Sequence, residues 1–158
     1  YSQKNKSMLK SKKAILLFAF AFMYLFSNGQ DTKESDKVRG EWYTEDDKST
    51  VKVYRAKNGK YYGKITWLKN PNEDDGTAKV DDQNPDEAKQ KDPIIGLLIL
   101  KGFDYKGDGV FKGGTIYDPD NGKTYNCIMT MTTDDKMDIR GYVGISLLGR
   151  TTVWVRKK

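Results

Sequence analysis

From Gly113 to Gly144 the chain alternates between apolar and polar residues with a period of two, and no other feature constrains its fold as tightly. Cys127, Met129, Met131, Met137 and Ile139 alternate with Asn126, Thr130, Thr132, Asp138 and Arg140. That is the pattern of strands with one apolar face. Two polar turns, Asp118-Pro119-Asp120-Asn121-Gly122 and Asp134-Asp135, separate three such runs. Turns this short join antiparallel neighbours, so the stretch predicts a meander.

The same punctuation extends through most of the chain. Gly40 to Tyr43, Thr50 to Arg55 and Lys60 to Leu68 read as three strands, the last two flanking Lys57-Asn58-Gly59. Asn-Gly is a strong hairpin signal because both positions tolerate positive φ. Val51, Val53, Ile65 and Trp67 are expected to point inward, with Lys52 and Lys64 outward. Ile94 to Phe103, Gly109 to Tyr117, Lys123 to Thr133, Lys136 to Gly144 and Arg150 to Lys157 bring the strands to eight. Hairpin order and the need to remove exposed edges favour an all-β, up-and-down antiparallel eight-stranded barrel over a sandwich.

Lys69 to Pro93 interrupts the pattern with a long loop dense in Asp, Glu and Asn. Asn84-Pro85-Asp86-Glu87 predicts one short helix within it, Asn84 as N-cap and Pro85 at the first helical position, ending before Asp92-Pro93. Compact domains seldom carry so long a loop without a use for it, so the expectation is a lid.

The N-terminus reads differently. Lys4, Lys6, Lys10, Lys12 and Lys13 precede the 13 apolar residues Ala14 to Phe26, followed by Ser27-Asn28-Gly29. A run this short falls below the ~20 residues of a membrane-spanning helix and has the layout of an export signal, Ser27 at −3 and Gly29 at −1. We therefore expect a signal peptide over 1–29, a flexible lead-in over 30–39, a barrel domain over 40–158, and a periplasmic or secreted product. No membrane span then remains after cleavage. Five of the 28 Lys and Arg precede Gln30 and none of the 22 acids does, leaving 23 bases against 22 acids, a net charge of +1. So even a balance offers no concentrated basic face for nucleic acid.

Catalytic signals are sparse. The chain has no histidine, which excludes Ser-His-Asp and Cys-His catalysis and imidazole zinc sites. Its single cysteine, Cys127, lies in an apolar row and reads as a small buried hydrophobe. No phosphate loop, nucleophile elbow or cofactor motif occurs. Asp118 to Gly122 and Asn72 to Gly76 offer oxygen ligands without the spacing of a calcium loop, and turns account for both. The expectation is a monomeric non-enzyme without cofactor or metal.

The sharpest polar constellation is Arg140-Gly141-Tyr142, because residues i and i+2 of a strand share a face and their guanidinium and phenol can meet one anion. If that row faces inward, Asn126, Thr130, Thr152, Trp154 and Tyr117 line the same cavity. If it faces outward, the inner row is Cys127, Met129, Met137, Ile139, Val153 and Val155, the arrangement that hydrophobic burial favours. The binding hypothesis assigns Arg140 and Tyr142 to a polar group and Trp67, Trp154 and Tyr117 to the remainder of a small amphipathic or anionic molecule. The alternative is a filled barrel acting through its surface.

The combined spacing Gly40-x-Trp42, Tyr62-Gly63-Lys64-Ile65-x-Trp67, Asn84-Pro85-Asp86, Ile99-Leu100-x-Gly102-Phe103, Ile116-Tyr117-Asp118-Pro119-x-x-Gly122-Lys123-x-Tyr125, Arg140-Gly141-Tyr142 and Gly149-Arg150-Thr151-x-x-Trp154-x-Arg156 resembles domain-of-unknown-function family 2147. The resemblance spans Val38 to Lys158 and implies a small exported protein with a lipocalin-like fold. The family brings no assigned catalytic or binding residues. Gly40-x-Trp42 with a late Arg156 is also similar to the closing signature of calycin barrels, which implies that the guanidinium stacks on the indole and seals one end.

Overall fold

In the computed structural model, which describes residues 34–158, the turns and alternation produce eight strands: β1 (Gly40–Tyr43), β2 (Ser49–Arg55), β3 (Tyr61–Leu68), β4 (Leu98–Tyr105), β5 (Val110–Asp118), β6 (Lys123–Thr133), β7 (Lys136–Tyr142) and β8 (Arg150–Arg156). Each pairs antiparallel with the next, and β8 pairs with β1 to close the barrel. Closure leaves no edge strand open to another chain. The expected signal peptide lies outside the described residues.

Up-and-down connectivity sorts the loops by end. The hairpins after β2, β4 and β6 lie with both termini of the barrel at one end. The connections after β1, β3, β5 and β7 gather at the other. At the first end, Val38 and Trp42 are fully buried and Trp42 Nε1 donates to Val38 O at 2.9 Å. The Arg156 guanidinium lies 4.2 Å from the Trp42 ring centre. Its nitrogens donate to the carbonyls of Lys37 (2.6 Å), Asp134 (2.7 Å) and Arg39 (3.1 Å). One side chain therefore joins the lead-in, the β6–β7 turn and the barrel floor. The stretch expected to be a flexible lead-in is consequently held at its C-terminal part, where Asp36–Val38 forms a 3-10 turn.

Above this floor the inner rows interlock. Phe111 opposes Met129, Met129 opposes Ile139, and Met137 opposes Trp154. The Tyr61 ring meets Phe111 edge-on at 4.9 Å. Cys127 is buried one inner step higher, opposite Gly141, and burial pushes its thiol up to about 12. These contacts fill the lower half of the barrel at the density that gives dispersion forces their effect.

Several expectations are corrected. Val153 and Val155 face solvent, while Trp154 and Thr152 occupy the inner row, because the β7–β8 register sets them opposite Met137 and Ile139; cross-strand partners share a face. Trp67 is 40% exposed on the outer surface. A bulge between Thr50 and Val51 pairs Thr50 with Trp67 but Val51 with Ile65, so the alternation reverses there. Outside, Trp67 packs edge-on against Tyr43 at 6.3 Å. Strand β4 starts at Leu98 rather than Ile94, and β7 ends at Tyr142 rather than Gly144. The helix is a single 3-10 turn, Glu87–Lys89, capped by Asp86 rather than Asn84, with Asp86 accepting from Ala88 N at 3.2 Å. Asn84 instead accepts from Asp86 N at 2.9 Å in a turn before the helix.

Arg156→Ala should lower unfolding free energy by about 2–3 kcal/mol in urea titrations, because three carbonyls lose a charged donor. Arg156→Lys should recover little of it, since an ammonium cannot stack and serve three acceptors at once.

Candidate functional site

The end of the barrel opposite Arg156 is open. A cavity of about 1140 Å³ enters there, and its apolar wall includes Ile65, Ile94, Ile99, Ile116, Ile139 and Trp154. Thr152 and Tyr125 add hydroxyls. Trp154 marks its floor, being both a lining residue and the partner of Met137 in the packed half. Charges collect around the entrance, where Lys48, Lys69 and Arg150 stand near Glu45, Asp82 and Asp118. Small-molecule sites typically measure about 300–1,000 Å³; this space is larger because it is open at the mouth, and its lining mixes polar and apolar groups, which matches an amphipathic molecule.

Part of the cavity wall comes from the long loop, which is folded rather than loose. Two isolated bridges, Asn72 to Ala78 and Val80 to Pro93, pair it with itself. At its centre Asp81 is fully buried. One carboxylate oxygen accepts from the Tyr117 hydroxyl and the other from Asn84 Nδ2, both at 2.7 Å. Asp81 N also donates to Asp92 O at 2.9 Å. Burial and then the Asp81 carboxylate push the Tyr117 phenol up to about 12, so it remains a donor across the ordinary pH range. A second tie lies at Gly122, whose positive φ of 67° and whose closeness to the Gln83 carbonyl leave no room for a Cβ. The loop is thus hydrogen-bonded to β5 at Tyr117 and packs closely against the β5–β6 turn at Gly122.

The connection between β7 and β8 forms the opposite lip. Arg140 points away from the cavity. Its Nε donates to Ser146 O at 2.7 Å, Nη1 to Thr151 Oγ1 at 2.8 Å and Nη2 to Leu147 O at 3.1 Å. Two of these donors hold the 143–149 connection and the third ties β7 to β8.

Residues 40–156 match the family described as uncharacterized protein conserved in bacteria (DUF2147). The chain belongs to that family. No curated protein matches it. Among solved structures it is similar to protein HP1028 from the human pathogen Helicobacter pylori, described as belonging to the lipocalin family. That likeness has 24% identity and a TM-score of 0.66, covering 77% of this chain and 83% of the other. It shows a lipocalin-like barrel, in agreement with the closed strand order.

Of the residues singled out for a ligand, the family member brings Tyr117, Tyr142 and Trp154 to the cavity. Arg140 and Trp67 are not among its lining residues. The Arg-x-Tyr pair fails as a single anion clamp because the guanidinium is occupied by the following connection, while Tyr142 sits at the rim. Thr152 lines the cavity; Asn126 and Thr130 do not. The carboxylates first weighed as calcium ligands serve local turns: Asp118 accepts from Asp120 N and Asn121 Nδ2, and Asp75 from Thr77. No group of three or more acids or thiols fit to hold a metal occurs among the described residues. Asp81 does not line the cavity but holds the loop behind its wall, a role the sequence does not signal beyond the Asp81-x-x-Asn84 spacing that allows the side-chain bond. No helix among the described residues is long and apolar enough to cross a membrane.

Tyr117→Phe should remove the donor from a buried carboxylate, costing about 1–3 kcal/mol and speeding hydrogen exchange at the Asp81 and Asn84 amides. The folded phenol ionises at about 12 against 10 when unfolded, so the unfolded chain loses its proton first and this contribution declines as pH rises between those values. Alkaline denaturation should show that component in the wild type and lack it in Tyr117→Phe.

Proposed function

We propose that this protein is an exported binding protein of the cell envelope, acting as a monomer, that holds a small amphipathic or anionic molecule in the open half of its barrel. The observation that carries this reading is the division of the interior: aromatic and methionine side chains pack the lower half, whereas the upper half keeps an open cavity of about 1140 Å³ with an isoleucine-rich inner wall and a charged entrance. Apolar wall and polar rim favour a molecule with its tail inside and its head at the mouth. Lys48 and Lys69 can meet an anionic head, Arg150 being paired with Glu45, and the Tyr142 phenol also lines the mouth.

Export is supported by the basic residues and short apolar run before Ser27. A holding role rather than a chemical one is supported by the lack of histidine and by the buried, weakly acidic Cys127. The tied loop over Asp81 suits a stable wall, with entry between it and the 143–149 connection.

Titration with a fluorescent long-chain fatty acid tests the reading. Wild type should bind it, and Thr152→Phe, which adds a ring to the cavity wall, should weaken binding on the order of tenfold without a large change in melting temperature. Arg140→Ala should change affinity little, because its guanidinium is directed elsewhere. Failure of the wild type to bind any chain length would instead favour a barrel acting through its surface.

A further inference from the structure

The sequence from Tyr142 to Gly149, YVGISLLG, contains no charge, and it joins β7 to β8 at the mouth of the cavity. Four of its side chains stand in solvent: Val143 is 70% exposed, Ile145 60%, Leu147 82% and Leu148 79%. Such a cluster of large aliphatic groups is unfavourable in water unless something covers it. The cavity lies alongside, and Val143 and Leu148 reach its lining whereas Ile145 and Leu147 do not. Their outward posture is built in. Arg140 binds the carbonyls of Ser146 and Leu147, and Leu148 N donates to Ile145 O at 3.2 Å, closing a turn that carries the side chains on its crest.

We propose that this connection inserts into the surface of a phospholipid bilayer, so that the cavity mouth opens onto the membrane from which its amphipathic ligand is drawn. The shape decides between partners. A specific protein interface needs about 800 Å² from each side with complementary form, whereas a single convex turn offers a small protruding crest. A fluid acyl layer accepts a protrusion without a matching groove, and aliphatic side chains enter it favourably. The surroundings agree with a headgroup layer of both signs: Arg150 pairs with the half-exposed Glu45 at 2.7 Å and Lys48 with Asp46 at 3.9 Å, so the rim presents balanced charge of both signs. The fitting surface is therefore a zwitterionic phospholipid bilayer. The inference rests on the cavity reading for its purpose, although docking can be measured separately.

The test places a reporter on the crest. Leu147→Trp, in the full chain, is mixed with phosphatidylcholine vesicles carrying brominated acyl chains, and Val153→Trp on the barrel side serves as the comparison. Both share the same N-terminal apolar run and the same native tryptophans, so only a difference between positions counts. We expect strong quenching of the added fluorescence at 147 and little at 153. Ile145→Asp combined with Leu147→Asp, followed by Tyr142→Trp as reporter, should abolish quenching at the mouth. Equal quenching at both positions, or none at 147, overturns the proposal. Concentration-dependent burial of the 147 reporter without vesicles also overturns it, in favour of a second copy as the covering partner. Fatty-acid binding measured without vesicles separates the two readings: binding without insertion removes membrane docking alone, and insertion without binding removes the cavity as a ligand site.

Discussion

The barrel depends on its shortest seam. Strand β1 meets β8 through only two register pairs, Trp42 with Arg156 and Tyr43 with Val155, while the other ladders are longer. Without that seam the sheet would be open, and the apolar rows would face water on one side. Arg156 reinforces the joint from three directions, and Lys157 adds its amide to the Glu41 carbonyl at 2.9 Å and its ammonium to the Glu41 carboxylate at 3.2 Å. Stacking on the Trp42 indole makes the same guanidinium part of the floor. Closure and capping are therefore one physical device, placed at the end where both termini of the barrel come together.

With one end sealed and packed, the other is free to remain open. Interlocked Phe111, Met129 and Met137 supply much of the burial that keeps the barrel folded, so the upper half need not be filled. Its wall instead relies on directed polar contacts. Asp81 satisfies both carboxylate oxygens against Tyr117 and Asn84, which makes its complete burial tolerable. Arg140 performs the matching service on the other lip. Each side of the mouth is thus set by one charged residue, Asp81 tying its own loop to β5 and Arg140 tying β7 to the connection that follows it.

Much of the fold was legible because alternation and turn chemistry are local. The eight strands and their order follow from runs such as 123–133 and 136–144 and from Asn-Gly or Asp-rich turns. The Trp42 and Arg156 spacing pointed to the end that is sealed. What was not legible depends on register. A one-residue bulge at Thr66, opposite the Thr50–Val51 step, turned Trp67 outward, and the pairing of Met137 with Trp154 exchanged the faces of β8. Arg140 looked like a ligand group because strand periodicity cannot show that the next connection folds back onto its guanidinium. Asp81 looked like one surface acid among many, since its partner Tyr117 lies 36 residues away.

The central claim is that the open half of the barrel holds an amphipathic molecule, and native mass spectrometry of protein purified without detergent from its own cells tests it most directly. The account predicts a discrete added mass that organic extraction removes and that an added long-chain amphiphile restores. A bare polypeptide mass under every condition, including excess amphiphile, would contradict it.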